Sequence, residues 1–156
     1  MTTTSHFDRD LGISLERPSD WQVGRTDDFT VVLLAPPITG YRSNLGFSRA
    51  DPPALTPAVL EATLATARAQ QHDEYPGFVE LGEVRFVQDG CPAVLQIYRW
   101  QPPDVPEPFT QVFGLVLTTD HGLLEINGAT LMSLEGQALP AFEAIVRSIR
   151  FIPPER

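Results

Sequence analysis

Two stretches decide the fold: Ile13-Ser14-Leu15-Glu16, halted by Arg17-Pro18-Ser19-Asp20-Trp21, and the closing Phe142-Glu143-Ala144-Ile145-Val146-Arg147-Ser148-Ile149-Arg150-Phe151. The first alternates apolar and polar side chains, the two-residue period of a strand with one wet face. The second carries Phe142, Ile145, Val146 and Ile149 at helical spacing, which predicts a closing helix with one apolar stripe. Pro140 must then lie in the first turn of that helix or before it, because a proline further in removes a backbone hydrogen bond.

Working inward from the start, residues 1–10 are polar and read as a flexible N-terminus. Residues 11–16 predict a first strand, ended by Pro18, and residues 21–23 a short second piece. Residues 29–35 are β-branched and almost continuously apolar, as in a strand covered on both faces, and residues 44–49 alternate again. The period then changes. Thr56 reads as an N-cap with Pro57 at the first helical position, and Leu60, Leu64, Ala67 and Gln71 fall on one face of a helix that ends near Asp73, ahead of Pro76-Gly77.

Four strands follow. Residues 78–87 and 93–100 are joined by Asp89-Gly90, a strong hairpin signal, and residues 109–119 and 123–130 by Asp120-His121-Gly122. Between the two hairpins, Gln101-Pro102-Pro103-Asp104-Val105-Pro106-Glu107-Pro108 holds four prolines in eight positions and reads as a stiff, exposed connection. Strands, a helix, four strands and a helix make an α+β domain: a largely antiparallel sheet of about six to eight strands with two main helices packed on it. The domain is expected over residues 11–152, with a short tail at 153–156.

Composition narrows the function classes. The 156 residues carry a formal charge of −9, and all 11 basic residues are arginine. They are scattered, so no basic stripe is available for phosphates and no nucleic-acid partner is expected. No apolar run approaches the roughly 20 residues of a membrane-spanning helix. The first residues lack the basic and apolar regions of a secretory signal, which favours a cytoplasmic setting unless a leader has been removed. The single cysteine, Cys91, forms no internal disulfide and reads as a small, partly buried side chain.

Chemistry is sparse. His72-Asp73-Glu74 are adjacent on a helix and cannot face one metal together. His121 and Glu125 straddle a hairpin tip, but two ligands fall short of the three or four a zinc site needs. There is no nucleophile elbow, no glycine-rich phosphate loop and no lysine for a Schiff base. No enzyme activity, metal or cofactor is therefore expected. What remains is a binding face. Along residues 93–100, Ala93, Leu95, Ile97 and Arg99 alternate with Val94, Gln96, Tyr98 and Trp100, and Leu95 and Ile97 read as core beneath the helices. Gln96, Tyr98 and Trp100 combine aromatic area with hydrogen-bonding groups on a sheet face expected to be uncovered and are candidate binding residues; Gln111 on the next strand is a further candidate, and the proline-dense loop leaves open the register that would set it on the same face.

These motifs, in their order, resemble the PsbP-like (Mog/PsbP) superfamily, especially its DcrB branch. The resemblance rests on Pro18-Ser19-Asp20-Trp21 after the first strand, Asn44-Leu45-Gly46-Phe47-Ser48-Arg49 before the helix, Pro76-Gly77-Phe78 with Leu81, Gly90-Cys91-Pro92-Ala93 with Trp100, then Gln111 and the closing segment. It spans residues 11–151. The superfamily includes photosystem accessory proteins, Ran-binding Mog-type proteins, LpqN-type lipoproteins and Eag-type chaperones of secreted effectors. The resemblance implies an antiparallel sheet with packed helices and a role in binding. The expected function is a non-catalytic protein-binding module, a cytoplasmic chaperone or adaptor for a secreted protein. A small-molecule or lipid carrier with an apolar cavity stands as one alternative, and an enzyme with dispersed catalytic residues as another. The expected partner is a protein, and an edge strand or sheet face could carry a homodimer.

Overall fold

The computed structural model describes residues 2–153. Ten strands and two α-helices follow one another as β1 (Thr3–Asp8), β2 (Ile13–Pro18), β3 (Gln22–Gly24), β4 (Val31–Leu34), β5 (Asn44–Ala50), α1 (Pro57–Glu74), β6 (Val79–Gln88), β7 (Cys91–Trp100), β8 (Phe109–Leu117), β9 (Leu123–Leu131), α2 (Glu135–Arg147) and β10 (Arg150–Phe151). The strands form an antiparallel seven-stranded sheet, ordered β3-β4-β5-β9-β8-β7-β6, and a small antiparallel sheet, β1-β2-β10. This is the expected α+β sheet with two main helices.

Side-chain alternation along the large sheet separates two packing layers. One face presents Leu33, Leu45, Phe47, Val112, Val116 and Ile126 to α2 and to the small sheet, which contribute Phe142, Ile145 and Val146, and Leu11, Ile13 and Leu15. On the opposite face, Val94, Leu115, Leu117 and Leu123 meet Leu60 and Leu64 of α1. The β6–β7 hairpin turns on Asp89 and Gly90, both at positive φ (50° and 81°), the geometry of a type I′ turn.

Four expectations are corrected. The loose lead-in expected at residues 1–10 gives way to a strand: Thr3–Asp8 pair along the whole of β2, which takes up alternate backbone groups of this edge strand. The closing helix stops at Arg147. Ile149 is fully buried past its end, and Arg150–Phe151 extend into a strand against Ile13 and Ser14. A helical period read over ten residues had absorbed a strand of two. Pro140 lies inside α2, beyond its first turn. The carbonyl left without its partner belongs to exposed Gly136, where water can serve it. Thr56 occupies the N-cap position of α1 in an extended conformation, yet its side chain makes no capping bond. The tail expected at 153–156 lies, past residue 153, outside the described residues.

Candidate functional site

The sequence-derived face of β7 is not uncovered. Leu60 and Leu64 seat α1 on the sheet, and two turns further Gln71 continues the same stripe onto Gln96, which is 0% exposed. The two amides donate to each other's oxygens, each at 2.8 Å, and Gln96 Nε2 also donates to Glu80 Oε1 at 2.6 Å. A buried amide is tolerated where its polar atoms find partners, and here each amide nitrogen and oxygen of the pair has at least one. Ion pairs clamp the outer flank of α1: Arg68 to Glu80 (2.8 Å) and Glu83 (2.6 Å), and Arg85 to Glu83 (2.8 Å) and Glu61. These arginines hold the Glu80 and Glu83 carboxyls below their usual range.

Past its last turn α1 swings Tyr75 over the sheet. The Tyr75 ring lies flat on Trp100 (centroids 4.4 Å apart) and parallel to Tyr98 (6.0 Å), while Phe78 packs on Tyr98 at 5.5 Å. Tyr98 is thereby buried, and that burial pushes its phenol pKa up. Gln96 and Tyr98 are thus inside the molecule and cannot be touched by a partner. Trp100 and Gln111 are half-exposed and joined, with Trp100 Nε1 donating to Gln111 Oε1 at 2.7 Å. From Trp100 the aromatic row continues to Phe109 (6.0 Å) and then Tyr41 (5.9 Å).

Alongside α1, where the helix rises off β8 and β9, a groove of about 380 Å³ opens. Its helical wall is Ala62, Thr63, Thr66, Ala67 and Gln70, and its floor includes Phe113 and Glu125. Beyond β9 the ring of Phe29 lies directly on Gly46, where any Cβ would come within 2.6 Å of it. Burial alone raises the Glu125 pKa above its ordinary 4.5. Among the described residues none of the ion pairs involves Glu125. A half-buried carboxylate without a cation costs stability, and such groups concentrate at functional sites.

The sequence reading missed this groove. The available signal was Glu125, a lone charge among the neutral residues of β9, together with the small Ala and Thr side chains along one flank of α1. The other chemistry-bearing residues are engaged structurally. The ring of His72 packs on Phe78 at 4.6 Å, and His121 Nε2 bonds the Ile152 carbonyl at 2.8 Å. Cys91 is buried, which raises its thiol pKa. Among the described residues no group of three or more His, Cys, Asp or Glu side chains is placed to hold a metal, and no helix is long and apolar enough to cross a membrane.

No family model matches the sequence, and no curated protein matches it significantly. Solved structures do share its fold. LpqN of Mycobacterium tuberculosis, described as involved in cell envelope biogenesis, superposes with a TM-score of 0.73 over 97% of this chain and 91% of its own, at 18% identity. The cyanobacterial PsbP of Synechocystis gives 0.67 over 96% and 92%, at 14% identity. A protein of unknown function from Pseudomonas aeruginosa gives 0.64 over the full length of both chains, at 16% identity. At these identities the likeness concerns the fold: this chain has the PsbP-like fold.

Proposed function

We propose that this chain is a non-catalytic protein-binding module, a chaperone or adaptor for a secreted protein, and that it receives a basic polypeptide segment in the groove between α1 and β8–β9. The observation that carries this reading is Glu125, half-buried on the groove floor and, among the described residues, in none of the ion pairs. An arginine or lysine from a partner would neutralise it in a partly desolvated setting, where such a pair discriminates strongly between partners. The chain's charge of −9 steers basic partners toward it. The row Tyr75, Trp100, Phe109 and Tyr41 offers aromatic surface beside the groove, with Gln111 as a polar contact.

The carrier reading is less well supported. The most apolar recess, lined by residues such as Leu95, Ile97, Val112 and Leu139, measures about 190 Å³. Ligand pockets ordinarily begin at roughly 300 Å³. The engaged roles of His72, His121 and Cys91 favour binding over catalysis. The DcrB-branch resemblance and the envelope role described for LpqN agree with work on exported proteins, and leave an envelope setting beside the cytoplasmic one.

The test is an array of peptides pairing an aromatic residue with arginine, matched to copies carrying glutamate instead. The arginine set should bind, Glu125→Gln should lose ~10-fold or more of that affinity, and its circular dichroism should be unchanged. Equal binding of both peptide sets, or undiminished binding by Glu125→Gln, would remove the reading.

A further inference from the structure

Strand β6 ends the seven-stranded sheet, and among the described residues nothing pairs with its outer edge. Edge strands are commonly short or covered, and the opposite edge, β3, is three residues long. β6 is ten residues long and carries four exposed large apolar side chains: Val79 (56%), Leu81 (44%), Val84 (44%) and Val87 (68%). A register irregularity between Glu80 and Gly82 leaves the regular ladder running from Gly82 to Gln88.

The backbone fixes which residues can bond outward. The two-residue Asp89-Gly90 turn makes Gln88 and Cys91 a hydrogen-bonded pair. Alternation along an antiparallel ladder then points the N–H and C=O of Val87, Arg85 and Glu83 away from β7. A second β6 related by a two-fold axis must match outward residue to outward residue, so the axis falls on a residue, and those that keep the pairing central in the regular ladder are 83, 84 and 85. An axis at 83 opposes two Glu83 carboxylates, and an axis at 85 opposes two Arg85 guanidiniums. An axis at Val84 instead sets Glu83 against Arg85 twice, Gly82 beside Phe86, and Val84 against its own copy, with the exposed Leu81 and Val87 at the two ends of the paired stretch. One register is complementary in charge, in apolar contact and in hydrogen-bonding parity together, and cross-strand pairs of this kind are what select a register.

We propose that β6 is the seam of a homodimer in which a second copy of this chain adds its own β6 antiparallel, two-fold at Val84, joining the large sheets edge to edge. Arg68, Glu83 and Arg85 are already held in an ion-pair network, so their charges are set before the copies meet. Val84 also borders the apolar recess formed with Leu95, Ile97 and Leu139, so contact extends past the ladder itself. The seam is separate from the groove on β8–β9, and neither proposal depends on the other.

Sedimentation of the full chain over a concentration series should show a reversible dimer. Val84→Lys, which places two like charges on the axis, should raise the dissociation constant ~100-fold or more while leaving the melting temperature in place at dilutions where both chains are monomeric. Register is read by disulfide trapping in a Cys91→Ser background. Opposed non-hydrogen-bonded residues bring their Cα atoms within bridging distance, so Val84→Cys should cross-link to itself. Glu83→Cys should cross-link to Arg85→Cys and far more slowly to itself. A wild-type chain monomeric up to its solubility limit, a Val84→Lys dimer of undiminished strength, or self-linking of Glu83→Cys as fast as that of Val84→Cys would each overturn the proposal.

Discussion

The two faces of the seven-stranded sheet are built from the same strands and differ in what they are asked to bury. The face under α2 and the small sheet is apolar throughout its centre, and Leu33, Leu45, Phe47 and Ile126 are each 0% exposed. The face under α1 has a smaller apolar patch around Leu115, flanked by Gln96, Gln111, Glu125 and Asn127 on the same side. One layer closes over its face; the other covers only part of it and leaves a groove and an aromatic row at its border. Stability is concentrated on the first face, and the groups that can recognise another molecule on the second.

The sharpest way to break that contrast is truncation on either side. Phe47→Ala removes a fully buried ring from the α2 face and should cost about 3–5 kcal/mol in urea unfolding. Leu64→Ala on the α1 face should fall at or below the middle of the roughly 2–5 kcal/mol range for such changes, because it sits beside the open groove. An equal or larger loss at Leu64 would place the main core on the wrong face. A smaller effect is expected at the amide pair. Gln96→Leu strands Gln71 and should cost about 1–3 kcal/mol, while Gln71→Leu with Gln96→Leu should recover most of it.

The smallest effect has the opposite sign. Burial raises the Glu125 pKa above the unfolded value near 4.5, so the native state holds its proton into a range where the unfolded chain has released it. Stability is therefore lost as pH rises through the folded pKa, and no penalty exists below the unfolded value. Glu125→Gln should raise the melting temperature at neutral pH, and the gain should vanish as pH falls below 4.5. A destabilised variant at neutral pH would mean that the carboxylate is held by contacts that favour its charge.

Much of the fold was legible because its signals are local. Asp89-Gly90 marked a hairpin, the change of period after Thr56 marked α1, and the alternation on either side marked strands. The site was legible only in part. Gln96, Tyr98 and Trp100 share one face, as alternation predicts; Gln111 joins them through the β7–β8 register, which the proline-dense loop hid, and Trp100 and Gln111 bond one another. What alternation could not say is where α1 would come to rest, since that depends on the path of residues 75–78 as they leave the helix. The end of the chain misled for a related reason: apolar residues at helical spacing continued past Arg147, while the edge of β2 offered Arg150 and Phe151 a ladder to complete.

The reciprocal bonds between Gln71 and Gln96 have a consequence on a longer timescale than folding. Either substitution alone strands a buried amide, whereas both together can be nearly neutral. Selection therefore meets these two positions as a single heritable character. Among descendants of this chain they should change in step or not at all, and a lineage that has replaced both would have crossed by way of a less stable intermediate or a simultaneous change.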